Sequence, residues 1–366
     1  MRESDMGKII LDLPPRQEQA NPRNSEGAFL SLENGTIIFA FSRFKGDDPS
    51  DDATSDICAL YSYDDGNTFG NRKTILTCEE ERAVNIMSPS MMHMQNGDIG
   101  HFYLVRENKR KLQMFLRRSS DGGMTWGKRV LCTPMDGVLV VNNDRVTRLA
   151  NGDILIPAAC HRGEGLSFEE HAQLRYFFSE DDGKTWRQSA GRCILPYTNN
   201  SNSGLQEPGV LELRQGQIWS WARTDLGRQY ETFSMDNGRT WTMCQPSRFS
   251  APKSPLSMKK DSTGTIYAVW NPIPEYNGRN KIEGIFLGGR TPYVMAVSKD
   301  NGASFSEPIA FETEEDRGYC YCAIHFHKDS MLLAYCAGGL EDHSCLTRCR
   351  IRKIPMEQIN SEFGLK

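Results

Sequence analysis

The stretch RSSDGGMTWG, from Arg118 to Gly127, contains an eight-residue pattern that organises the whole chain. The pattern is Ser-x-Asp-x-Gly-x-x-aromatic, and we call each copy a box motif. Box motifs begin at Ser62, Ser119, Ser179, Ser234 and Ser298, which are 57, 60, 55 and 64 residues apart. A period near 60 residues is longer than that of solenoid repeats and is typical of a propeller whose four-stranded sheets carry variable loops.

Each box motif has the composition of a tight turn that follows a strand. Apolar or alternating runs precede it, as in LQMFLRRS before Asp121 and LRYFFS before Asp181. The aspartate can accept hydrogen bonds from nearby backbone amides, and the glycine accepts a positive φ. Since each motif offers fewer clustered oxygens than the roughly six to eight that Ca²⁺ takes, we interpret it as a structural staple.

A second repeat, of short turns, sets the number of units. Turns of the type polar-Gly-polar-Ile lead into apolar strands, and a turn without glycine does the same once more. They lie at residues 33–41, 95–105, 150–159, 214–222, 262–270 and 327–336. The six positions predict an all-β fold, a six-bladed β-propeller of four-stranded antiparallel blades. We expect one domain over residues 1–366, in which the N-terminal segment, residues 1–20, and a C-terminal strand share the closing blade.

The charge balance restricts the partners of the protein. The chain has 43 Lys and Arg against 47 Asp and Glu, a net charge of −4, which argues against nucleic acid or an anionic membrane as the main partner. No apolar run approaches the roughly 20 residues of a membrane-spanning helix, and no secretory signal is evident. We therefore expect a cytoplasmic protein, unless an export signal has been removed, and the oligomeric state stays open.

The eleven cysteines are predicted to be mostly free thiols in a reducing compartment, because their number is odd and their spacing is not that of a small disulfide scaffold. Several cysteines lie close together near His343, namely Cys320, Cys322, Cys336, Cys345 and Cys349. Their spacing does not match the common zinc patterns. The sequence therefore predicts neither a metal site nor a cofactor.

Asp boxes on a six-bladed propeller resemble the sialidase, or neuraminidase, superfamily. That family pairs a tyrosine nucleophile with a glutamate, holds the substrate carboxylate with three arginines and uses an aspartate as the acid/base. The segment QEPGVLELRQGQIWSWARTD resembles a family segment in which a Glu precedes an Arg by the sixteen residues that separate Glu207 from Arg223. The resemblance implies that Glu207 is the base beside the tyrosine and that Arg223 is one carboxylate clamp.

Two later segments extend the resemblance. In GRTPYVMAVSKDNG, Arg290 lies eight residues before Ser298, where the family has another arginine clamp. In DRGYCYCAIHFHKDSMLLAY, the run Tyr321-Cys-Ala-Ile resembles the family's Tyr-Ser-x-Leu. The resemblance implies Tyr321 as the nucleophile, with Tyr319 as the fallback.

The first unit departs from the family pattern. The family has Arg-Ile-Pro where this chain has PRNSEGAF, so Arg23 is implied as the remaining clamp only with a short insertion before the Gly35 turn. Glu26 is a nearby carboxylate that the family pattern does not include. The acid/base aspartate is expected on a loop before the first box motif. Asp51 lies there, eleven residues ahead of the motif, with Asp52 beside it as the alternative.

Further polar residues are expected near the centre of the ring. They are Asp144 and Arg145 in VNNDRV, Tyr230 in GRQYETF, and the histidines His161 and His325. Asp144 and Arg145 could equally form an internal ion pair that supports a strand. Together with the extra carboxylate of the first unit, these residues predict a pocket more polar than a plain sialidase's, with a substrate that differs accordingly.

The chemistry of sialic acid accounts for the residue types that the resemblance implies. Its carboxylate is attached to the anomeric carbon and would repel an Asp or Glu nucleophile, whereas a neutral tyrosine avoids the repulsion. A phenol needs a carboxylate to take its proton, and arginines bind a carboxylate through paired hydrogen bonds.

The implied function is an exo-acting glycoside hydrolase that releases terminal sialic acid, or a related acidic sugar, from an oligosaccharide with retention. Two alternatives stay open. One is a propeller that binds acidic glycans without catalysis, and the other is a lyase on uronic-acid-containing glycans with Tyr321 as base.

Overall fold

The computed structural model describes residues 1–163, 168–274 and 285–365, and within these ranges it is dominated by β-strands. One α-helix, α1, spans Met356–Phe363, and short 3₁₀ helices span Gln17–Gln19 and Leu340–Asp342. The predicted all-β fold is therefore confirmed. Among the described residues, no helix has the length and apolar character needed to cross a membrane.

The first repeat forms a four-stranded antiparallel sheet in chain order. Its strands are β3 (Asn24–Ser31), β4 (Ile37–Phe44), β5 (Ser55–Ser62) and β6 (Gly70–Leu76). A glycine turn joins β3 to β4, and the first box motif joins β5 to β6. Because Ser31 pairs with Ile37 and Ile37 with Ser62, both turns lie at the same end of the sheet, opposite the first residues of β3.

Three other sheets follow related plans. One contains β16 (Gln206–Arg214), β17 (Gln217–Arg223), β18 (Arg228–Ser234) and β19 (Gln245–Ser250). The next contains β20 (Ser257–Lys260), β21 (Ile266–Trp270), β22 (Tyr293–Ser298), β23 (Ile309–Glu312) and β1 (Arg2–Glu3). The third contains β24 (Cys320–His327), β25 (Ser330–Cys336), β26 (Cys349–Pro355) and β2 (Lys8–Leu13).

The second and third repeats share one nine-stranded sheet. It contains β7 (Asn85–His93), β8 (Ile99–Asn108), β9 (Lys111–Ser119), β10 (Val130–Leu131), β11 (Gly137–Val140), β12 (Thr147–Arg148), β13 (Ile154–Gly163), β14 (Gln173–Ser179) and β15 (Arg187–Gln188). β11 joins the two halves because it pairs with both β9 and β13. The described strands thus form five sheets, and the division into six four-stranded blades stays a prediction.

The N-terminal strands pair with strands from the C-terminal end of the chain. β2 is antiparallel to β26, with Lys8 opposite Lys353, and β1 is parallel to β23. β2 thus completes the sheet of β24, β25 and β26, while the closing of a ring by this sheet stays a prediction.

The apolar core lies between neighbouring sheets. Between the first and the last sheet, the buried rings of Phe39 and Phe41 share a cluster with Leu332 and Ile351. Each such side chain stabilises the fold by roughly 1.5–3 kcal/mol relative to an exposed one. Through this packing β3 lies close to β24, and the first residues of the two strands lie close to each other.

The box motifs are closed by their own hydrogen bonds. In the second copy, the Ser119 hydroxyl donates to Asp121, and it accepts from the Gly123 amide at 2.8 Å. Thr125 donates to the same carboxylate from its amide, at 2.9 Å, and from its hydroxyl, at 2.6 Å. These bonds, first of all that from the Thr125 hydroxyl, lower the pKa of Asp121. The motif is the structural staple that its composition predicts.

Candidate active site

A β-bulge interrupts the first strand of several repeats close to its start. At each interruption of register one residue has a positive φ: Glu26 (44°), Ser88 (56°), Glu207 (48°) and Tyr321 (58°). We call these four the bulge residues. Left-handed backbone is uncommon outside glycine, and such conformations are concentrated at functional sites. The bulge residues contact one another in two pairs, Tyr321 with Glu207 and Glu26 with Ser88.

Glycines beside two of the bulges explain part of the local sequence. A Cβ atom on Gly27 would lie 2.2 Å from the Phe39 ring, and one on Gly209 would lie 2.2 Å from the Trp221 ring. Only glycine leaves room for these rings, which pack directly beneath the bulges.

The first pair of bulge residues is Tyr321 and Glu207, and Arg223 contacts both. The Tyr321 hydroxyl donates a 2.9 Å hydrogen bond to Oε1 of Glu207, and Nη1 of Arg223 lies 2.8 Å from Oε2. Nη1 of Arg223 also lies 3.4 Å from the Tyr321 oxygen. Burial, and then the charge of Glu207, raise the pKa of Tyr321 well above its usual value. The phenol is therefore neutral near pH 7, with a carboxylate in place to accept its proton.

Arg290 lies beside the same tyrosine. Its guanidinium carbon is 5.5 Å from the centre of the Tyr321 ring and 5.2 Å from that of Phe286. Nη1 donates to Sγ of Cys320 at 3.0 Å and Nη2 to the Lys253 carbonyl at 3.3 Å. In the described part of the chain, no carboxylate lies within ion-pair distance of Arg290, although only 3% of it is exposed. A buried cation of this kind favours an anionic ligand.

The second pair of bulge residues is Glu26 and Ser88, and Arg23 lies beside it. The Ser88 hydroxyl donates to Oε2 of Glu26 at 2.7 Å, and Nη2 of Arg23 lies 3.4 Å from Oε1. Arg23 is almost fully buried and also donates from Nη1 to Oδ1 of Asp51 at 2.6 Å. Burial raises the pKa of Glu26 to about 7, against the opposing effect of Arg23.

The two candidate acids, Asp51 and Asp52, face solvent and contact different arginines. The Asp51 side chain is 62% exposed and pairs with Arg23, whereas Oδ1 of Asp52 lies 3.3 Å from Nη1 of Arg106. The surrounding protein disfavours the charge on Asp51, but the guanidinium of Arg23 outweighs this effect, so the pKa of Asp51 is lowered. Without a ligand, Asp51 is therefore ionised near pH 7.

The two pairs belong to one electrostatic cluster. Glu207 contributes to the raised pKa of Glu26, and Arg223 contributes to the lowered pKa of Asp51. Asn143 joins the strands beneath them, since its side-chain amide donates to the Gly27 carbonyl at 2.7 Å and to the Tyr321 carbonyl at 3.2 Å. The structure thus brings together the residues that the sequence predicts as nucleophile, base, acid and clamps.

Asp144 and Arg145 do not form the ion pair that the sequence leaves open. Asp144 instead contacts Nζ of Lys259 at 2.9 Å and accepts from the Ile324 amide at 3.1 Å. Arg145 donates to the Leu256 carbonyl at 2.8 Å. Of the two alternatives that the sequence leaves open, the ion pair does not form, because Lys259, far along the chain, pairs with the carboxylate.

The two other predicted tyrosines lie apart from the bulge residues. Tyr319 packs against Tyr293 and Tyr335 in an aromatic cluster, and burial, then Glu312, raise its pKa. Tyr230 packs in the core beside β17.

The two predicted histidines differ in position. Nδ1 of His161 donates a 2.7 Å hydrogen bond to the Glu169 carbonyl, and burial lowers the pKa of His161 to about 4. Glu207 and Arg223 also influence this pKa, so His161 lies near the site. His325 lies near the opposite end of β24, where Nε2 is 2.7 Å from the Ser31 hydroxyl.

Sequence reasoning missed Ser88, Gln206 and Arg106. Gln206 precedes a bulge residue and accepts from Nη2 of Arg223 at 2.9 Å, so its place beside Glu207 in the sequence could have identified it. Ser88 occupies in its strand the position that Glu26 occupies in β3, and comparison of the repeats could have found it. Arg106 has no such signal.

The cysteines form no disulfide. All eleven are free thiols. Among the described residues, no group of three or more His, Cys, Asp and Glu side chains is placed to hold a metal ion.

Comparison with known proteins gives the family. The family model described as BNR repeat-like domain matches residues 50–333. A sialidase of Trypanosoma cruzi is 24% identical over 256 residues, which cover 62% of this chain and 19% of that protein. A sialidase of Clostridium perfringens is 25% identical over 244 residues, which cover 59% of each.

Solved structures show the same fold. The Hadza microbial sialidase Hz136 matches with a TM-score of 0.70 and 15% identity, over 96% of this chain and 69% of that one. The chain matches the sialidases of Trypanosoma cruzi and Clostridium perfringens over less than two thirds of their own length. The family model, by contrast, covers most of this chain. The protein belongs to the BNR-repeat family of the sialidase superfamily.

Proposed function

We propose that the protein is an exo-acting glycoside hydrolase of the sialidase type, which releases a terminal sialic acid or a related 2-keto acid sugar from an oligosaccharide. The observation that carries the proposal is the contact of the Tyr321 hydroxyl with Glu207, beside Arg223. The sialidases among the relatives support it. We further infer that the five sheets form a six-bladed propeller with the site at its centre.

The neutral phenol determines how the nucleophile would act. Because the pKa of Tyr321 is far above 7, attack on the anomeric carbon requires that its proton pass to Glu207 as the bond forms. The product of this step is a covalent tyrosyl glycoside, and the leaving oxygen departs from the opposite face. Water then displaces the tyrosine from the face that the leaving group vacated, which yields retention.

Three arginines would hold the substrate carboxylate. Arg290 has no ion-pair partner among the described residues, whereas Arg23 and Arg223 pair with Asp51 and Glu207. A ligand carboxylate on Arg290 therefore meets no competing carboxylate from the described residues, whereas it must share Arg23 and Arg223. Bidentate hydrogen bonds make arginine suited to this role.

Binding of the ligand would also prepare the acid. A carboxylate on Arg23 weakens the contact of Arg23 with Asp51 and adds a like charge nearby. Both effects raise the pKa of Asp51 from its lowered value, so that it can hold the proton that the leaving oxygen needs. Asp52, paired with Arg106, is the alternative acid.

The test is turnover of a fluorogenic sialoside by wild type, Tyr321→Phe and Tyr319→Phe. We expect Tyr321→Phe to lose at least about 10³-fold in kcat, because the nucleophile is removed. Tyr319→Phe is the matched control, since its ring packs in the aromatic cluster. Loss of turnover in that variant alone would reassign the nucleophile. If wild type turns over no sialic, deaminated or other 2-keto acid sugar, the proposal fails.

One observation favours a second candidate, a propeller that binds acidic glycans without catalysis. Asp51 is held in its ionised form by Arg23, and an ionised carboxylate cannot protonate a leaving group. Calorimetric binding of a sialoside without product formation would favour this candidate.

A further inference from the structure

Glu26 is a buried carboxylate that the proposed mechanism does not use. It is 4% exposed, occupies the bulge of β3 and accepts the 2.7 Å hydrogen bond from Ser88. Oε1 lies 3.4 Å from Nη2 of Arg23. A buried acid is thus in contact with an arginine that would hold the ligand.

Both terminal nitrogens of Arg23 have hydrogen-bond partners in the absence of a ligand. Nη1 donates to Asp51 at 2.6 Å and to the Pro49 carbonyl at 3.1 Å, and Nη2 donates to Ser25 at 3.2 Å and to Glu26. A ligand carboxylate that reaches Arg23 meets the charges of two carboxylates. Like charges at such distances oppose binding strongly unless one of them is removed.

The two carboxylates differ in how easily they lose their charge. Asp51 is largely exposed, whereas Glu26 is buried between β3 and β7. We propose that Glu26 is a positioning residue that sets how strongly Arg23 binds a ligand carboxylate, an inference that rests on the carboxylate-binding role proposed above. Glu26 would then admit acidic ligands when it is neutral and oppose them when it is charged.

The surroundings of Glu26 fix the pH range of this effect. Burial raises its pKa to about 7, while Arg23 and Ser88 lower it and Asp51 and Glu207 raise it. Cys336, on β25, also faces Glu26, which contributes to the raised pKa of that thiol. Below pH 7 Glu26 is neutral and Arg23 is available to the ligand. Above pH 7 each bound ligand requires the uptake of one proton, so affinity falls as pH rises.

The experiment measures the affinity of the full chain for a non-hydrolysable S-linked sialoside by calorimetry between pH 6 and pH 8. For wild type we expect Kd to rise about tenfold over this range, as one linked proton with a pKa near 7 requires. Glu26→Gln should show a much smaller rise in Kd, because only the proton that Asp51 takes up on binding is left to link affinity to pH. A merely structural role for Glu26 would change the affinity without changing its pH dependence.

Two further variants keep the inference falsifiable. Ser88→Ala removes a hydrogen bond that favours the ionised form, so the midpoint of the affinity change should move to higher pH. Asp144→Asn removes a carboxylate that pairs with Lys259 and should keep the pH dependence of wild type. If Glu26→Gln is too unstable to measure, the shift of the midpoint in Ser88→Ala alone tests the role of Glu26.

The outcomes separate the two proposals. Sialoside binding with the same pH dependence in wild type, Glu26→Gln and Ser88→Ala overturns the role of Glu26 and leaves the proposed function standing. If wild type binds no sialoside at any pH, the carboxylate site itself fails and this inference fails with it.

Discussion

The box motifs and the bulges are both repeated features, and they lie at opposite ends of the sheets. The box motifs repeat their side chains: each aspartate accepts hydrogen bonds from its own turn, in the same pattern five times. The bulges repeat their backbone, with a positive φ each time, while the side chain changes from Glu26 to Ser88, Glu207 and Tyr321. The box motifs, with their repeated side chains, thus belong to the scaffold. The bulges, with a repeated backbone and variable side chains, form the candidate site.

The largest effect should follow from a change of a bulge side chain. Glu207→Gln removes the proposed proton acceptor of Tyr321, so kcat on a sialoside should fall by about 10²- to 10⁴-fold. The thermal midpoint should also fall, because the amide leaves the largely buried guanidinium of Arg223 without its carboxylate partner. Glu212→Gln, on the same strand but bonded to the Gly216 turn, is the matched control. Turnover within twofold of wild type in Glu207→Gln would refute the base assignment.

The backbone of the bulge should matter for stability. Gly209→Ala places a Cβ 2.2 Å from the Trp221 ring and should lower the free energy of unfolding by about 1–3 kcal/mol in chemical denaturation. Gly70→Ala is the control, since no atom lies within 4 Å of its Cβ position. Equal stability of the two variants would show that the Trp221 ring moves aside at little cost in free energy.

A box motif should affect stability without affecting chemistry. Asp181→Ala removes the acceptor of the Thr185 amide and hydroxyl, so Tm should fall by about 2 °C while kcat stays that of wild type. Asp181→Asn, which keeps an oxygen for the amides, should lose less. A fall in kcat at unchanged Tm would contradict the assignment of the box motifs to the scaffold.

The smallest effect concerns the pH dependence of stability. The pKa of Glu26 is raised on folding to about 7, so its contribution to stability is complete at low pH and is lost as pH rises through 7. Between pH 6 and pH 8 wild type should lose about 1 kcal/mol of unfolding free energy relative to Glu26→Gln. Parallel pH profiles of the two proteins in chemical denaturation would show that Glu26 does not titrate in this range.

The scaffold could be predicted from sequence because its signals are local. Asp121 and Gly123 bond within one turn, so the pattern that encodes the turn is contiguous. The number of sheets was less predictable, since the pairing of β11 with both β9 and β13 depends on neighbouring repeats.

The site could be predicted only where the resemblance supplied the residues. Glu207 and Tyr321 are 114 positions apart, and nothing local indicates their contact. Ser88 was missed because a bulge depends on the partner strand rather than on the residue itself. The partner of Asp144 was missed for a similar reason, since Lys259 lies 115 positions away.

The pairing of β2 with β26 has a consequence for how the protein is made. Lys8 leaves the ribosome long before its partner Lys353, and at about 5–20 residues per second the delay is roughly 20–70 s. During this time β2 is an unpaired edge that can join other strands. The candidate site unites β3 with β24, so it is complete only when the last sheet has docked. A chaperone that shields β2 during synthesis would therefore raise the yield of correctly folded protein.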